Sequence, residues 1–323
     1  MGGRRLEEAF TVRTGARLHF GLLSFGDTVG RQFGGLGAMI DRPGFELFAE
    51  VAKHDQIDAP ADWISRLTGL LRKCRDHGNA TPPGVPLRLQ LRRAPPAHSG
   101  FGSGTQLGLA VARVVAKVVG EEHVPSTELA RRSGRGNRSA IGVHGFEVGG
   151  LLLEAGKRTS DAISPLVARV AIPEEWRFAL IRPLGKPGIS GTQEVAAFKN
   201  LPPMPEATTD RLCNLAVREL IPAALESDID RFAVSLWEFG TLVGRYFAPV
   251  QGGVFAHPQM EALAGRLRRE GYPGVAQTSW GPTVSVICRD EEQADRLMNW
   301  LRSDPTAAEC DFLVARGLNH GAT

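Results

Sequence analysis

The chain has 323 residues, enough for two domains with sizeable cores, and its 42% hydrophobic and 23% charged residues are those of an ordinary globular protein. A net charge of +3 is nearly balanced, against a nucleic-acid partner; the dense basic runs, Arg131-Arg132 through Arg138 and Arg266 to Arg269, read as solvated helix faces. Four scattered cysteines (Cys74, Cys213, Cys288, Cys310) argue against a zinc knuckle or redox dithiol, and no signal-peptide core or run of roughly 20 apolar residues points to export or a membrane, so a cytoplasmic protein is expected.

The first part reads as short strands joined by glycine-rich connections, with one strand over Phe10 to Leu18 and another over Phe45 to Val51. Trp63, Leu67, Leu70 and Leu71 recur at helical spacing and predict a helix over Asp62 to Cys74. Pro82-Pro83-Gly84 is a loop, after which Leu87 to Arg92 alternates strictly and predicts a half-exposed strand. A glycine-rich segment, His98 to Gln106, leaves that strand and enters an apolar stripe of helical period: Leu107, Ala110, Val111, Val114, Val115 and Val118. A second glycine-rich stretch, Gly134 to Gly150, leads into Leu151-Leu152-Leu153. The composition shifts from Val167, so a boundary is placed within residues 165 to 176, giving domains 1–168 and 169–323. Beyond it follow a strand at Arg177 to Arg182, the segment Pro183 to Thr192 and the loop Pro202 to Pro205. Helices are predicted around Leu212 to Leu225 and Phe232 to Tyr246, a hairpin over Gly274 to Cys288, and a last helix over Glu291 to Leu301.

Strand, glycine-rich loop, helix is an order in which backbone N–H groups and a helix start can face an anion. Glycines at 100, 102 and 104 permit positive φ and close approach to phosphate oxygens, and Ser103 and Thr105 add hydroxyl donors. The Walker lysine and the dinucleotide spacing are both missing, so the common nucleotide folds fit poorly.

Pro96 to Thr105 resembles the second motif of the GHMP superfamily, which includes galactokinase, homoserine kinase and mevalonate kinase. Gly15 to Leu22 and Gln277 to Val284 sit where the first and third motifs of that superfamily belong. Within it the chain is similar to one branch, the beta-ribofuranosylaminobenzene 5'-phosphate synthases. That likeness rests on Arg17-Leu18-His19-Phe20, Phe33 to Gly37, Gly100 to Leu107, Ile189-Ser190-Gly191, Gln251-Gly252-Gly253, Ser279 to Pro282 and Asn319 to Ala322. Departures from the kinases point the same way. Gly104 replaces a serine often linked to the metal, Gln106 stands where a small residue is usual, and in the segment Gly142-Val143-His144 the place of the kinase aspartate aligns with His144.

The resemblance implies an α+β GHMP-kinase-like two-domain fold, with a ribosomal S5 domain 2-like N-terminal domain and a ferredoxin-like C-terminal α/β sandwich. It implies a pentosyltransferase of tetrahydromethanopterin biosynthesis, in which phosphoribosyl pyrophosphate condenses with 4-aminobenzoate (or 4-hydroxybenzoate) and releases carbon dioxide and pyrophosphate. It further implies Mg²⁺ and a homodimer. His19, His144 and Arg17 are the catalytic candidates, because histidine titrates near neutrality and arginine answers the leaving charge. Substrate-binding candidates are Arg31, His98, Ser99, Gly100, Phe101, Gly102, Ser103, Gly104, Thr105, Gln106, Ser190, Gly191, Gln251, Ser279 and Trp280. Glu194, or Asp41, is the metal candidate. Phe20, Phe33, Phe101 and Trp280 are candidates for an apolar slot in which a benzoate would stack and lose its carboxylate. An ATP-dependent small-molecule kinase of the same superfamily and a non-catalytic sugar-phosphate or nucleotide sensor are the alternatives.

Overall fold

A computed structural model describes residues 9–26, 30–77, 85–96, 99–160, 162–185 and 201–323. The single strand predicted over Phe10 to Leu18 is two: β1 (Ala9–Arg13) and β2 (Ala16–Gly21). The break lies at Thr14-Gly15. The Thr14 hydroxyl accepts from the Phe45 N–H at 3.1 Å and donates to the Gly15 carbonyl at 3.0 Å. A Cβ on Gly15 would stand 2.4 Å from the Ile40 carbonyl oxygen, so the chain turns there only without a side chain. The break sends the two halves into different sheets.

β1 joins β4 (Glu46–Val51), β5 (Gln56–Asp58) and β6 (Leu87–Arg93) in the order β1-β4-β6-β5. As the alternation in β6 requires, Leu87, Leu89 and Leu91 are buried. They meet Trp63, Leu67 and Leu71 of α1 (Ala61–Asp76) and Leu107, Val111 and Val114 of α2 (Ser103–Val118) in one core. α3 (Ser126–Ser133) and α4 (Ile141–Val148) pack against α2. β2 joins β3 (Gly35–Ile40), β7 (Leu151–Glu154) and β8 (Leu166–Val170) in an antiparallel sheet, order β2-β3-β7-β8. β8 crosses the predicted 168/169 boundary and pairs with β7 as far as Val170.

The C-terminal part runs β9 (Arg177–Pro183), a π-interrupted helical stretch (α5, Glu206–Leu215, to α6, Ile221–Leu225), α7 (Ile229–Gln251) and α8 (Pro258–Arg269). Then follow the predicted hairpin as β10 (Val275–Gln277) and β11 (Val284–Cys288), α9 (Glu291–Ser303) and β12 (Cys310–Arg316). The sheet order β10-β11-β9-β12, antiparallel throughout, gives the ferredoxin-like β-α-β-β-α-β arrangement. Its one face buries α8 and α9 through Leu263, Leu267, Leu297 and Leu301. The other shares a core with the β2 sheet: Phe178 and Leu180 join Phe232, Leu236 and Phe239 of α7 and Leu18, Phe20 and Leu36. The last residues return to the N-terminal part, where Thr323 exchanges backbone hydrogen bonds with Arg13 at 2.8 and 3.0 Å. Among the described residues no helix is long and apolar enough to cross a membrane.

Candidate active site

Between the N-terminal sheets and α7 lies a cavity of about 490 Å³, inside the range of roughly 300–1,000 Å³ usual for small-molecule sites. One wall is the glycine-rich loop. Gly100 (φ 81) and Gly102 (φ 66) are both left-handed, and α2 begins directly afterwards at Ser103 with no side-chain cap. The loop's carbonyls are spent on the protein: Ser99 accepts from the Thr283 hydroxyl (2.8 Å), Gly100 from Thr278 (3.0 Å) and Phe101 from the Arg17 N–H (3.0 Å). The N–H groups of Thr105 and Gln106 return to the Gly102 carbonyl, whereas those of Ser103 and Gly104 make no hydrogen bond among the described residues. The open donors expected over Ser99 to Gln106 therefore narrow to the first turn of α2, beside the hydroxyls of Ser103 and Thr105 that also line the cavity.

β2 supplies Arg17 and His19 from its cavity face. Arg17 donates from Nη2 to Ser279 Oγ at 2.6 Å, a contact across 262 residues that joins the first strand to the third motif. His19 is 5% exposed, its backbone N–H bonds Thr278 Oγ1 (3.0 Å), and its carbonyl accepts from the Ser279 N–H (2.8 Å). Its ring Nε2 has no hydrogen-bond partner. Burial first, then the charges of Arg17 and Arg138, hold this imidazole well below 6.5, so it is neutral at physiological pH. Gln251 and Gln277 complete this side. Gln251 Nε2 donates to the Gly253 and Val254 carbonyls (2.9 Å each), and Gln277 Nε2 to the Ser279 carbonyl (3.1 Å). Trp280, in the core beside Phe247 with ring centroids 4.9 Å apart, forms an apolar wall with Phe20, Leu22 and Val243.

Other predicted residues lie elsewhere. His144 does not line the cavity; its Nε2 stands 2.7 Å from the Ser164 carbonyl. Two residues before it in that segment, Gly142 lies against Arg17 and the start of α2: a Cβ there would meet Arg17, Thr105 and Gln106 at 3.3 to 3.5 Å. Gln106 is buried outside the lining and ties α2 to α4 by donating to the Gly142 carbonyl (2.8 Å). Arg31 is exposed and bonds the Gly156 carbonyl (3.0 Å), and Ser99 and Phe101 are buried beneath the loop. Phe33 stacks edge-on with Phe25 rather than forming the slot. Asp41 accepts from the Arg316 N–H (2.9 Å), away from the cavity. His98, Ser190, Gly191 and Glu194 lie outside the described residues.

Three functional features were missed. The basic run ending at Arg138 is not one helix face: α3 stops at Ser133, and the turn after it carries Arg135, Asn137, Arg138 and Ser139 into the cavity. Arg66 reaches it from α1, and α7 contributes Gly240, Val243, Gly244 and Phe247. The glycine pair Gly134 and Gly136 was the available signal for the turn. Four arginines and one neutral histidine thus line the cavity, and no Asp or Glu does among the described residues. Among the described residues there is no group of three His, Cys, Asp or Glu suited to a metal. Glu154, buried at the end of β7, accepts from the Ala140 N–H (2.7 Å), and burial raises it against its hydrogen bonds.

Three archaeal proteins named beta-ribofuranosylphenol 5'-phosphate synthase are similar to this chain along most of its length. The protein of Methanothermobacter thermautotrophicus is 32% identical over 85% of this chain and 88% of its own. That of Archaeoglobus fulgidus is 29% identical over 96% and 97%, and that of Methanocaldococcus jannaschii 26% over 84% and 88%. Among solved structures, homoserine kinase from Cytophaga hutchinsonii superposes with a TM-score of 0.66 at 16% identity, covering 100% of this chain and 99% of that one. Mevalonate pyrophosphate decarboxylase from Streptococcus pyogenes gives 0.68 at 9%, covering 98% and 99%. These likenesses show the α+β GHMP-kinase fold over the whole chain. No family model matches.

Proposed function

Because the chain belongs to the beta-ribofuranosylphenol 5'-phosphate synthase family, we propose that it joins C1 of phosphoribosyl pyrophosphate to the carboxyl-bearing ring carbon of a para-substituted benzoate. The sequence points to 4-aminobenzoate; the relatives are named for a phenol product, which makes 4-hydroxybenzoate the first acceptor to try. In this reading the C1–oxygen bond breaks and its electron pair leaves with pyrophosphate. A π pair of the ring forms the new carbon–carbon bond. The bond to the carboxylate then breaks, and its pair restores the ring as carbon dioxide departs. No proton has to be removed from the acceptor ring.

The observation that carries the reading is the division of the cavity. A basic end of Arg17, Arg66, Arg135, Arg138 and the α2 start suits the phosphorylated ends of phosphoribosyl pyrophosphate, the departing pyrophosphate among them. An apolar end of Phe20, Val243, Phe247 and Trp280 suits an aromatic ring whose carboxylate is lost more readily out of water. Arg17 sits at the join, packed against Gly102 and bonded to Ser279. Neutral His19 in this reading takes or gives one hydrogen bond with the para hydroxyl or amine; its Nε2 is buried and has no partner within the protein.

The test is to supply carboxyl-labelled 4-hydroxybenzoate or 4-aminobenzoate with phosphoribosyl pyrophosphate. Labelled carbon dioxide and pyrophosphate are expected in equal amounts, and only when both substrates are present. Phosphorylation of an alcohol at the expense of ATP, with neither benzoate decarboxylated, would replace this reading by the kinase one.

A further inference from the structure

Arg135 is held in a way that its surroundings alone do not justify. Gly134 (φ 66) and Gly136 (φ 80) flank it in a left-handed turn that presents the side chain to α2. There it lies in a notch made by two glycines one helical turn apart. A Cβ on Gly104 would come 3.3 Å from its Nη1, and one on Gly108 would come 3.1 Å from its Cγ and 3.2 Å from its Nε. The notch therefore admits the guanidinium to the first turn of α2, the positive end of the helix dipole, where a cation is electrostatically unfavourable. Arg66, the other basic residue bearing on it, repels it as well. Its Nε is buried without a hydrogen-bond partner. Both arginines line the cavity.

We propose that Arg135, seated in the Gly104/Gly108 notch, and Arg66 form a second phosphate subsite. It takes one phosphorylated end of the ligand, while Arg17 and the Ser103 N–H take the other. An anion there accepts the planar guanidinium fork and removes the repulsion between the two cations. The identity of the ligand rests on the function proposed above; the subsite itself rests on the notch and the two arginines. Its phosphoryl group belongs either to the pyrophosphate or to the 5'-phosphate of the ribose, and titration separates them.

Inorganic pyrophosphate and ribose 5-phosphate are titrated calorimetrically, each on its own, into the full chain, Arg135→Ala, Arg66→Ala and Arg135→Lys. One of the two ligands is expected to weaken by roughly tenfold or more in both alanine variants while the other stays within about twofold, and the affected ligand names the end that is bound. Arg135→Lys keeps the charge and is expected to recover part of the loss, which an unfolded variant would not. If both alanine variants bind both ligands within about twofold of the parent, the subsite is refuted. Equal loss of both ligands with no recovery in Arg135→Lys refutes it too. A pyrophosphate affinity that depends on Arg135 in a protein that decarboxylates neither benzoate would remove the proposed reaction and leave the subsite standing.

Discussion

His19 turns the electrostatics of the cavity into a stability that depends on pH. The unfolded chain binds a proton at this imidazole near 6.5; in the folded protein, burial, Arg17 and Arg138 hold the group well below 6.5. As the pH falls through the unfolded value, the unfolded state therefore takes up a proton that the folded state refuses. Stability contributed by the neutral ring is present above that value and is lost below it. Between about pH 7.5 and 5.5 the linkage relation gives a loss of about 1.4 kcal/mol from this one group, and the slope at the acid end approaches about 1.4 kcal/mol per pH unit. His19→Gln removes the titration and keeps a polar side chain. Urea unfolding of both proteins across that range should show the parent losing about 1.4 kcal/mol more than the variant. Parallel pH profiles would mean that the ring is solvated or already charged, and the neutral hydrogen-bonding role given to it would fall.

Glu154 titrates with the opposite sign: burial raises its carboxyl, so stability present at acid pH is lost as the pH rises through the folded value. Glu154→Gln should accordingly gain stability relative to the parent as the pH rises above the ordinary carboxylate range, read from the same urea series. Gly100→Ala places a side chain at φ 81 with its Cβ 2.7 Å from the Thr278 carbonyl oxygen; a loss of roughly 2 kcal/mol or more in stability, together with pyrophosphate binding, is expected, and an unchanged melting point would show the loop to be slack. In a double-mutant cycle, Arg17→Ala and Ser279→Ala should couple by about 1–2 kcal/mol in stability, because their 2.6 Å contact is part-buried and charge-assisted. Additive effects would show that the two motifs are not joined by this bond.

The parts of the fold legible in the sequence are those where one physical signal acts alone. β6 alternates because one face packs on α1 and α2 and the other meets water, and α2 is visible because a stripe of its valines and leucines is buried. α4 was hidden because Gly142 and Gly145 are poor helix formers, and tertiary contact overrides them: a Cβ on Gly145 would come 2.4 Å from the Met39 sulfur. The division of Phe10 to Leu18 into two strands depends on how Thr14 and Gly15 meet Phe45 and Ile40, contacts remote in the chain. In the site, the loop and Arg17 were legible because glycine spacing and the motifs mark them. Arg135 and Arg138 were not, because a basic run looks the same on a solvated helix as in a turn behind a helix end. Val243 and Phe247 carry no mark at all that separates a cavity wall from core.

The absence of a side chain at Gly142 and of carboxylates from the described lining has one chemical consequence. Phosphoryl transfer to an alcohol generates a proton that a base must take, and a carboxylate facing Arg17 and Thr105 would serve. A base in that position would also pair with Arg17 and weaken its hold on an anion. Substitution of a carboxylate by a sugar carbon frees no proton from the ring; its demand is for positive charge where pyrophosphate leaves. Gly142→Asp should then act against the proposed chemistry. It would place an acid beside Arg17, whose side chain must give by a few tenths of an ångström where its Cδ stands 3.3 Å from the Cβ of residue 142, and it is expected to lower pyrophosphate affinity by roughly tenfold. Tighter or unchanged pyrophosphate binding in Gly142→Asp, measured by calorimetry beside the parent, would show that the missing acid is not what leaves Arg17 available.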